Sequence, residues 1–167
     1  MITTPYHNTT GRFATYLNDQ KDSILTEWLG RVLADPAILV TDILNTVAIR
    51  NHLPEIFDDL TASLRNYGDD SVAKKAVVDA GEHGAARMRQ GYELTEMLRE
   101  IKHLRAVLIL HIRLFEEQNP DHDLPTRLIL STSLHSFLDQ LMIDATEEFL
   151  WAKLSLQERI HRGYIRC

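Results

Sequence analysis

Apolar residues recur every three or four positions over most of this chain, which is the spacing of amphipathic helices. The alternating pattern of a half-buried strand and any internal repeat are both missing from the sequence. We therefore predict an all-α protein, a globin-like bundle of five to six helices with a long C-terminal helix. The predicted helices cover about 19–34, about 42–50, about 71–90, about 93–117, and from about 124 to beyond 156. One further helix begins within 51–55 and ends at 67–68.

Proline, glycine and capping residues set the predicted helix ends. Asp35-Pro36 ends the first helix, because proline disfavours helical geometry in the residue before it. Thr41 is a candidate cap for the short second helix, and residues 69–71 offer capping side chains for the helix that follows them. Gly91 is predicted to separate that helix from the next.

These boundaries predict a single helical domain over 19–156. Residues 1–18 are predicted to be a flexible lead-in, and 157–167 a tail or a linker toward a possible downstream effector. The last helix exceeds the usual length of about 11–12 residues. Its apolar positions alternate by three and four, as in a coiled-coil seam, so we predict a homodimer. The alternatives are that this helix leads into a following domain or folds back along the bundle. The candidate interface residues are Leu134, Leu138, Leu141, Ala145 and Phe149.

Composition narrows the class of protein. A chain of 167 residues fits one domain with a single core. Its net charge of −6 argues against a nucleic-acid binder, which normally has a basic face. No apolar run approaches the ~18 residues of a membrane span, and the N-terminus lacks a signal-peptide pattern. The only cysteine, Cys167, allows no disulfide within one chain. We predict a cytoplasmic protein without membrane insertion.

The stretch GEHGAARMRQGY, residues 81–92, is unusual for a helix because it contains three glycines. Glycine costs roughly 1 kcal/mol relative to alanine inside a helix. On a helical wheel, Gly84 falls on a face of small residues, which predicts close approach of a partner helix. Arg87 falls near the middle of the same face, with His83 at its edge.

Asp79, His83, Arg87 and Gln90 are spaced i, i+4, i+8 and i+11, so they form one polar ridge. One interpretation is structural: Arg87 pairs with a carboxylate from a neighbouring helix, while Asp79 and His83 hydrogen-bond locally. The other is functional: the ridge is a small polar site or a coupling point between helices. The candidate signal or ligand site therefore comprises His83, Arg87, Gln90, Tyr92 and Asp79.

The segment HGAARMRQGYELTEMLREIKHLRAVL, residues 83–108, resembles the N-terminal domain family of RsbR-type RsbT co-antagonists. The resemblance implies a cytoplasmic, all-helical sensory or regulatory domain, dimeric, globin-like and without haem. It also implies a position before an effector such as a STAS domain or a histidine kinase. The residues that carry it are His83-Gly84, Arg87, Gln90-Gly91-Tyr92, Met97-Leu98, Glu100 and Leu104-Arg105.

Two cofactor-binding alternatives are open from the sequence. His83, with His103 or His111, is a candidate axial ligand for haem. Two Glu-x-x-His pairs, Glu100/His103 and Glu158/His161, have the spacing found in di-iron bundles, which also require two further glutamates such as Glu27 and Glu148.

The sequence contains no phosphate-binding loop, nucleophile elbow or kinase signature, so no enzyme is predicted and no catalytic or metal-binding residue is assigned. Our leading hypothesis is a non-catalytic signalling domain that acts through helix packing at a homodimer or partner interface. The predicted signal-responsive element is 81–92 with the helix over 93–117, and the long last helix is the predicted output.

Overall fold

Seven α-helices and one 3₁₀ helix make up most of the computed structural model, which describes residues 6–66 and 70–164, with side chains over 8–66 and 72–163. No strand occurs in these ranges, so the prediction of an all-α bundle with a long C-terminal helix is confirmed. In chain order the helices are α1 (Tyr6–Asp19), α2 (Lys21–Leu33), the 3₁₀ helix (Leu39–Asp42), α3 (Thr46–Arg50), α4 (Leu53–Arg65), α5 (Asp70–Arg89), α6 (Leu94–Gln118) and α7 (Leu124–Tyr164).

The ends of the short helices follow local hydrogen bonding. Asn45 caps α3, since its side-chain oxygen accepts a hydrogen bond from Ala48 N at 2.8 Å. The prediction that Thr41 caps this helix is wrong, because the Thr41 hydroxyl donates to Ile38 O within the 3₁₀ helix. Gly91 ends α5 as predicted, with a φ of 88° that favours glycine. The candidate capping side chains of residues 69–71 lie outside the described part of the chain.

A buried glutamate holds the 3₁₀ helix against the start of α6. One oxygen of Glu96 accepts hydrogen bonds from Leu39 N at 2.6 Å and Val40 N at 3.1 Å. Its other oxygen accepts from Glu93 N at 2.7 Å, within the capping box that begins α6. The connection between α2 and α3 is therefore fixed by a side chain from a later helix.

The predicted flexible lead-in is wrong, because its residues 6–18 belong to α1. Phe13, Ala14 and Leu17 are completely buried, and α1 packs mainly against α4. Phe13 and Leu17 are four residues apart and so lie on one face of the helix. This face is short and is surrounded by threonine, asparagine and glycine, which obscured the helical period in the sequence.

Helices α5 and α7 pack along each other in opposite directions and form the closest helix pair. A Cβ added at Gly84 would lie 2.0 Å from Ala145 O, so the two backbones touch directly there. One turn earlier, Gly81 faces the side chain of Glu148. The prediction that the small-residue face of α5 receives a partner helix is confirmed, and the partner is α7 of the same chain.

The predicted dimer interface on α7 needs correction. Its five residues are at most 3% exposed within a single chain, and they belong to the chain's own core. They are therefore unavailable to a partner. The residues concerned are Leu134, Leu138, Leu141, Ala145 and Phe149.

The C-terminal part of α7 leaves the bundle. All residues from 153 to 163 are exposed, which corresponds to about 17 Å of helix at 1.5 Å per residue. The segment after 156, expected to be a tail or linker, is helical as far as Tyr164. Across the described residues, no helix has the length and apolarity needed to cross a membrane.

Candidate functional site

A completely buried arginine lies where α3, α5 and α6 meet. Arg87 Nε donates to Glu100 Oε2 at 2.7 Å, which joins α5 to α6. Arg87 Nη1 donates to Ala48 O at 3.2 Å and to Gln90 Oε1 at 2.8 Å, and Nη2 donates to Ile49 O. All three guanidinium nitrogens thus have acceptors, as a buried arginine requires.

The position of Arg87 follows from the end of α3. The last carbonyls of a helix have no partner within it, and a five-residue helix is too short to be stable alone. Ala48 and Ile49 supply such carbonyls, and the positive guanidinium binds both of them. A cation is favoured at a helix C-terminus, so Arg87 caps α3 from the neighbouring helix.

The second carboxylate oxygen of Glu100 binds Tyr92, from the turn between α5 and α6. Tyr92 OH donates to Glu100 Oε1 at 2.6 Å, and the Tyr92 ring centroid lies 4.9 Å from the Arg87 guanidinium carbon. The Glu100 main-chain oxygen also accepts a hydrogen bond from Trp28 Nε1 at 3.0 Å, which adds α2. Arg87, Gln90, Tyr92 and Glu100 form a group that we call the Arg87 cluster.

The Arg87 cluster is strongly shielded from water, and this changes its ionisation. Burial raises the pKa of the Glu100 carboxyl, while the Arg87 charge and the Tyr92 hydrogen bond oppose that rise. Burial, together with the negative charge of Glu100, also raises the pKa of the Tyr92 hydroxyl. Tyr92 therefore stays protonated near neutral pH and remains a hydrogen-bond donor.

His83 lies beside the Arg87 cluster without a hydrogen bond to it. Its Nε2 is 3.8 Å from Glu100 Oε2, which is beyond hydrogen-bonding distance. Its buried Nδ1 has no hydrogen-bond partner among the described residues, so the prediction of a local hydrogen bond for His83 is wrong. Burial, then the charges of Arg87 and His52, hold the pKa of His83 well below 6.5, so the ring is neutral at pH 7.

Asp79 belongs to a different group of charges. Lys75 bridges Asp79 and the buried Asp59 of α4, with Nζ 2.8 Å from Asp59 Oδ1. The predicted polar ridge therefore divides: Arg87 and Gln90 turn toward α3 and α6, and Asp79 turns toward α4. The structural interpretation is confirmed for Arg87, which pairs with a carboxylate of the next helix, and for Asp79, which bonds locally.

Residues 22–162 match a family model described as RsbT co-antagonist protein rsbRD N-terminal domain. The chain belongs to this family. Neither a curated protein nor a solved structure matches the chain. The family resemblance seen in the sequence is thereby confirmed, and it covers all but the first helix and the last few residues.

Within this RsbRD N-terminal domain, four of the residues that carried the resemblance meet in space. Arg87, Gln90, Tyr92 and Glu100 are bonded to one another, and His83 and Gly84 lie one turn earlier on α5. Glu100 is not among the candidate signal or ligand residues predicted from the sequence. The feature that could have identified it is a carboxylate on the apolar face of α6, beside Met97, Ile101 and Leu104.

The three histidines that are candidate haem ligands lie in different surroundings. His103 Nε2 is 2.8 Å from Asp35 Oδ2, His111 Nδ1 is 3.1 Å from Tyr16 OH, and the His83 Nε2 faces Glu100. The two Glu-x-x-His pairs are also apart, since the second lies on the exposed end of α7. Within the described residues, no three side chains of metal-binding type converge.

Proposed function

We propose that this RsbRD N-terminal domain is a non-catalytic regulatory domain of stressosome-type signalling that passes on a signal by a change in helix packing. The observation that carries the proposal is the Arg87 cluster, because one buried guanidinium binds α3, α5 and α6 together. A displacement of any of these segments breaks charge-assisted hydrogen bonds to the others. Such an element favours discrete arrangements over gradual deformation.

A contribution to net stability does not by itself explain why this domain contains the Arg87 cluster. A buried ion pair is often replaceable by apolar side chains of similar volume without loss of stability. Its best-attested role is to specify one arrangement against others. The cluster fits that role, since each carboxylate oxygen of Glu100 has its own donor and each guanidinium nitrogen its own acceptor.

A route from the Arg87 cluster to the end of the chain is provided by α5. Gly84 lies one turn before Arg87 and rests directly on the main chain of Ala145 in α7. Two backbones in contact cannot move independently, because no side chain lies between them to absorb the change. A shift of α5 at Arg87 therefore moves α7, which is the proposed output.

The exposed end of α7 is the proposed homodimer surface. Ala152, Leu156 and Ile160 continue the three- and four-residue spacing of the buried face beyond the bundle, and Leu156 and Ile160 are 45% and 51% exposed. A continuing seam of this kind is covered by the same helix of a second copy. This surface replaces the one predicted further toward the N-terminus of α7. The further proposed partner is a cytoplasmic effector or signalling protein, as in the family.

Light scattering after gel filtration tests the dimer. The wild-type chain is expected at twice its mass of 19.2 kDa, and Leu156→Lys with Ile160→Lys is expected at the monomer mass. Leu154→Lys is the control, because Leu154 is equally exposed but lies on another face of the same segment. A monomeric wild-type chain, or a double variant that stays dimeric, would refute this interface.

The proposed role of the Arg87 cluster is tested with Arg87→Met combined with Glu100→Leu. This replacement keeps side-chain volume and apolar burial but removes the polar connections. We expect a folded protein that no longer transmits the signal, measured as RsbT-dependent output in the cells that naturally produce it. A double variant with normal far-ultraviolet circular dichroism and a wild-type response would show that the cluster is only structural.

A further inference from the structure

A cavity of about 500 Å³ lies between α4, α5 and α7, apart from the Arg87 cluster. Small-molecule sites in proteins typically measure roughly 300–1,000 Å³ and combine apolar walls with a few polar groups. This cavity has both features, and neither the family assignment nor the proposed signalling role accounts for it. It lies beside the α5–α7 contact because Val77 and Asp144, which line it, belong to those two helices.

The lining of the cavity mixes apolar and polar side chains. Apolar surface comes from α4, α5 and α7, through Leu60, Leu64, Ala76, Phe137 and Leu141. Polar groups come from α4 and α7, among them Asp59, Ser136, Gln140 and Asp144. An occupant would therefore contact both hydrocarbon and hydrogen-bonding groups.

The charge of the cavity has one sign. Asp59 and Asp144 are acidic, and the described lining includes no lysine or arginine. Lys75 does bind Asp59, but its side chain is 63% exposed and lies between Asp59 and Asp79. Asp144 Oδ1 accepts a hydrogen bond from Gln140 Nε2 at 2.8 Å, so this carboxylate is held in position on α7.

A buried hydroxyl adds an independent observation. Ser133 is one of the lining residues, and its buried Oγ has no hydrogen-bond partner among the described residues. A buried hydroxyl without a partner is costly, and a polar occupant would supply the missing hydrogen bond. The cavity thus combines a positioned carboxylate, an unpartnered hydroxyl close by and apolar surface.

We propose that this cavity binds a small amphiphilic amine, with its ammonium group at Asp144 and its hydrocarbon body against Leu60 and Ala76. Asp59 already has Lys75 as its cationic partner, and an ammonium group would supply one for Asp144 and donate hydrogen bonds to the cavity oxygens. A carboxylate on the same body would meet two like charges instead. The inference is independent of the proposed signalling role, because binding is measured on the isolated chain.

The experiment uses three probes with one hydrocarbon body: heptylamine, 1-heptanol and heptanoate. Each is titrated into the full chain by isothermal calorimetry at neutral pH, where the amine is charged. Saturable binding of heptylamine is expected, with 1-heptanol about tenfold weaker, since a hydrogen bond to a charged group is stronger than a neutral one. No binding of heptanoate is expected.

Two variants locate the site. Asp144→Asn is expected to weaken heptylamine about tenfold and to leave 1-heptanol unchanged. The matched control is Asp139→Asn on the same helix, because Asp139 faces Arg105 of α6 instead of the cavity. Ala76→Phe fills the cavity and is expected to abolish binding of both probes.

Three outcomes would overturn the proposal. The first is no heptylamine binding by the folded wild-type chain up to about 10 mM, the weak end of measurable affinity. The second is heptanoate binding as tight as heptylamine binding. The third is an equal effect of Asp144→Asn and Asp139→Asn, which does not depend on whether Ala76→Phe folds.

Discussion

The largest loss of stability expected for a single substitution is at Arg87. Arg87→Ala leaves the Glu100 carboxylate buried without the guanidinium and removes the cap of α3. Breaking a buried ion pair from one side typically costs about 3–5 kcal/mol. We expect a loss of that size in the free energy of unfolding, measured by urea titration with circular dichroism.

A matched control for this loss is Arg105→Ala. Arg105 also pairs with a carboxylate, that of Asp139, but this carboxylate is 57% exposed. Exposed ion pairs contribute about 0–1 kcal/mol, so little loss is expected. Equal losses for Arg87→Ala and Arg105→Ala would mean that burial of the Arg87–Glu100 pair has no energetic effect.

The sequence predicted the need of Arg87 for a carboxylate because Arg87 interrupts an apolar face. It did not predict which carboxylate, since Glu93, Glu96 and Glu100 all lie near the start of α6. Only the packing shows that Glu96 binds the 3₁₀ helix and leaves Glu100 for Arg87. Asp79 was grouped with Arg87, but eight residues turn a helix by about 80° beyond two full turns. That offset is enough to direct Asp79 to α4.

At the scale of the helix pair α5–α7, substitutions of two glycines on α5 are expected to differ in their effect on stability. Gly84→Ala places a Cβ 2.0 Å from Ala145 O, and the two helices must separate to accept it. We expect a loss of about 3 kcal/mol or more, at the upper end of overpacking costs. Thermal unfolding followed by circular dichroism gives the corresponding fall in Tm.

Gly81→Ala is the internal comparison on the same helix. Its Cβ meets only Glu148 Cγ, at 2.8 Å, on a flexible side chain that can turn away. Alanine also favours the helix by about 1 kcal/mol, so stability within about 1 kcal/mol of wild type is expected. Similar Tm values for the two variants would show that close backbone contact does not constrain α5.

Helical spacing predicted most helices but not what covers their faces. A three- and four-residue period shows that one side of α7 is apolar, whether the cover is the chain itself or a partner. Leu134 and Phe149 are buried within one chain, so the chain itself covers the apolar side of α7 from Leu134 to Phe149. The first helix was missed for the converse reason, since Phe13 and Leu17 are too few to establish a period.

At the scale of the whole molecule, buried histidines predict how stability depends on pH. Burial holds the pKa of His83 well below 6.5 and also lowers the pKa of His111. Below about pH 6.5 the unfolded chain binds more protons at these rings than the folded chain does. Acidification through this range therefore favours unfolding.

Asp35 affects stability in a lower range of pH. Hydrogen bonds from His103 and Ala37 N, with the nearby charge of Arg99, lower its pKa from 3.8 to about 2. Because the folded pKa is depressed, this contribution is fully present above pH 3.8 and is lost as the pH falls toward 2. The two ranges are separate, so the effect of the histidines can be measured without titrating Asp35.

The contribution of His83 is isolated by comparing the free energy of unfolding at about pH 7.5 and about pH 5.5, on either side of the unfolded histidine pKa. Wild type is expected to lose stability at the lower pH, and His83→Gln is expected to lose less, because the side chain that titrates only in the unfolded state has been removed. His161→Gln is the control, since His161 is exposed on the protruding end of α7. This variant is expected to lose as much stability between the two pH values as wild type does. If His83→Gln has the same pH dependence as His161→Gln, then His83 protonates in the folded chain, and its neutral state beside Arg87 and Glu100 is wrong.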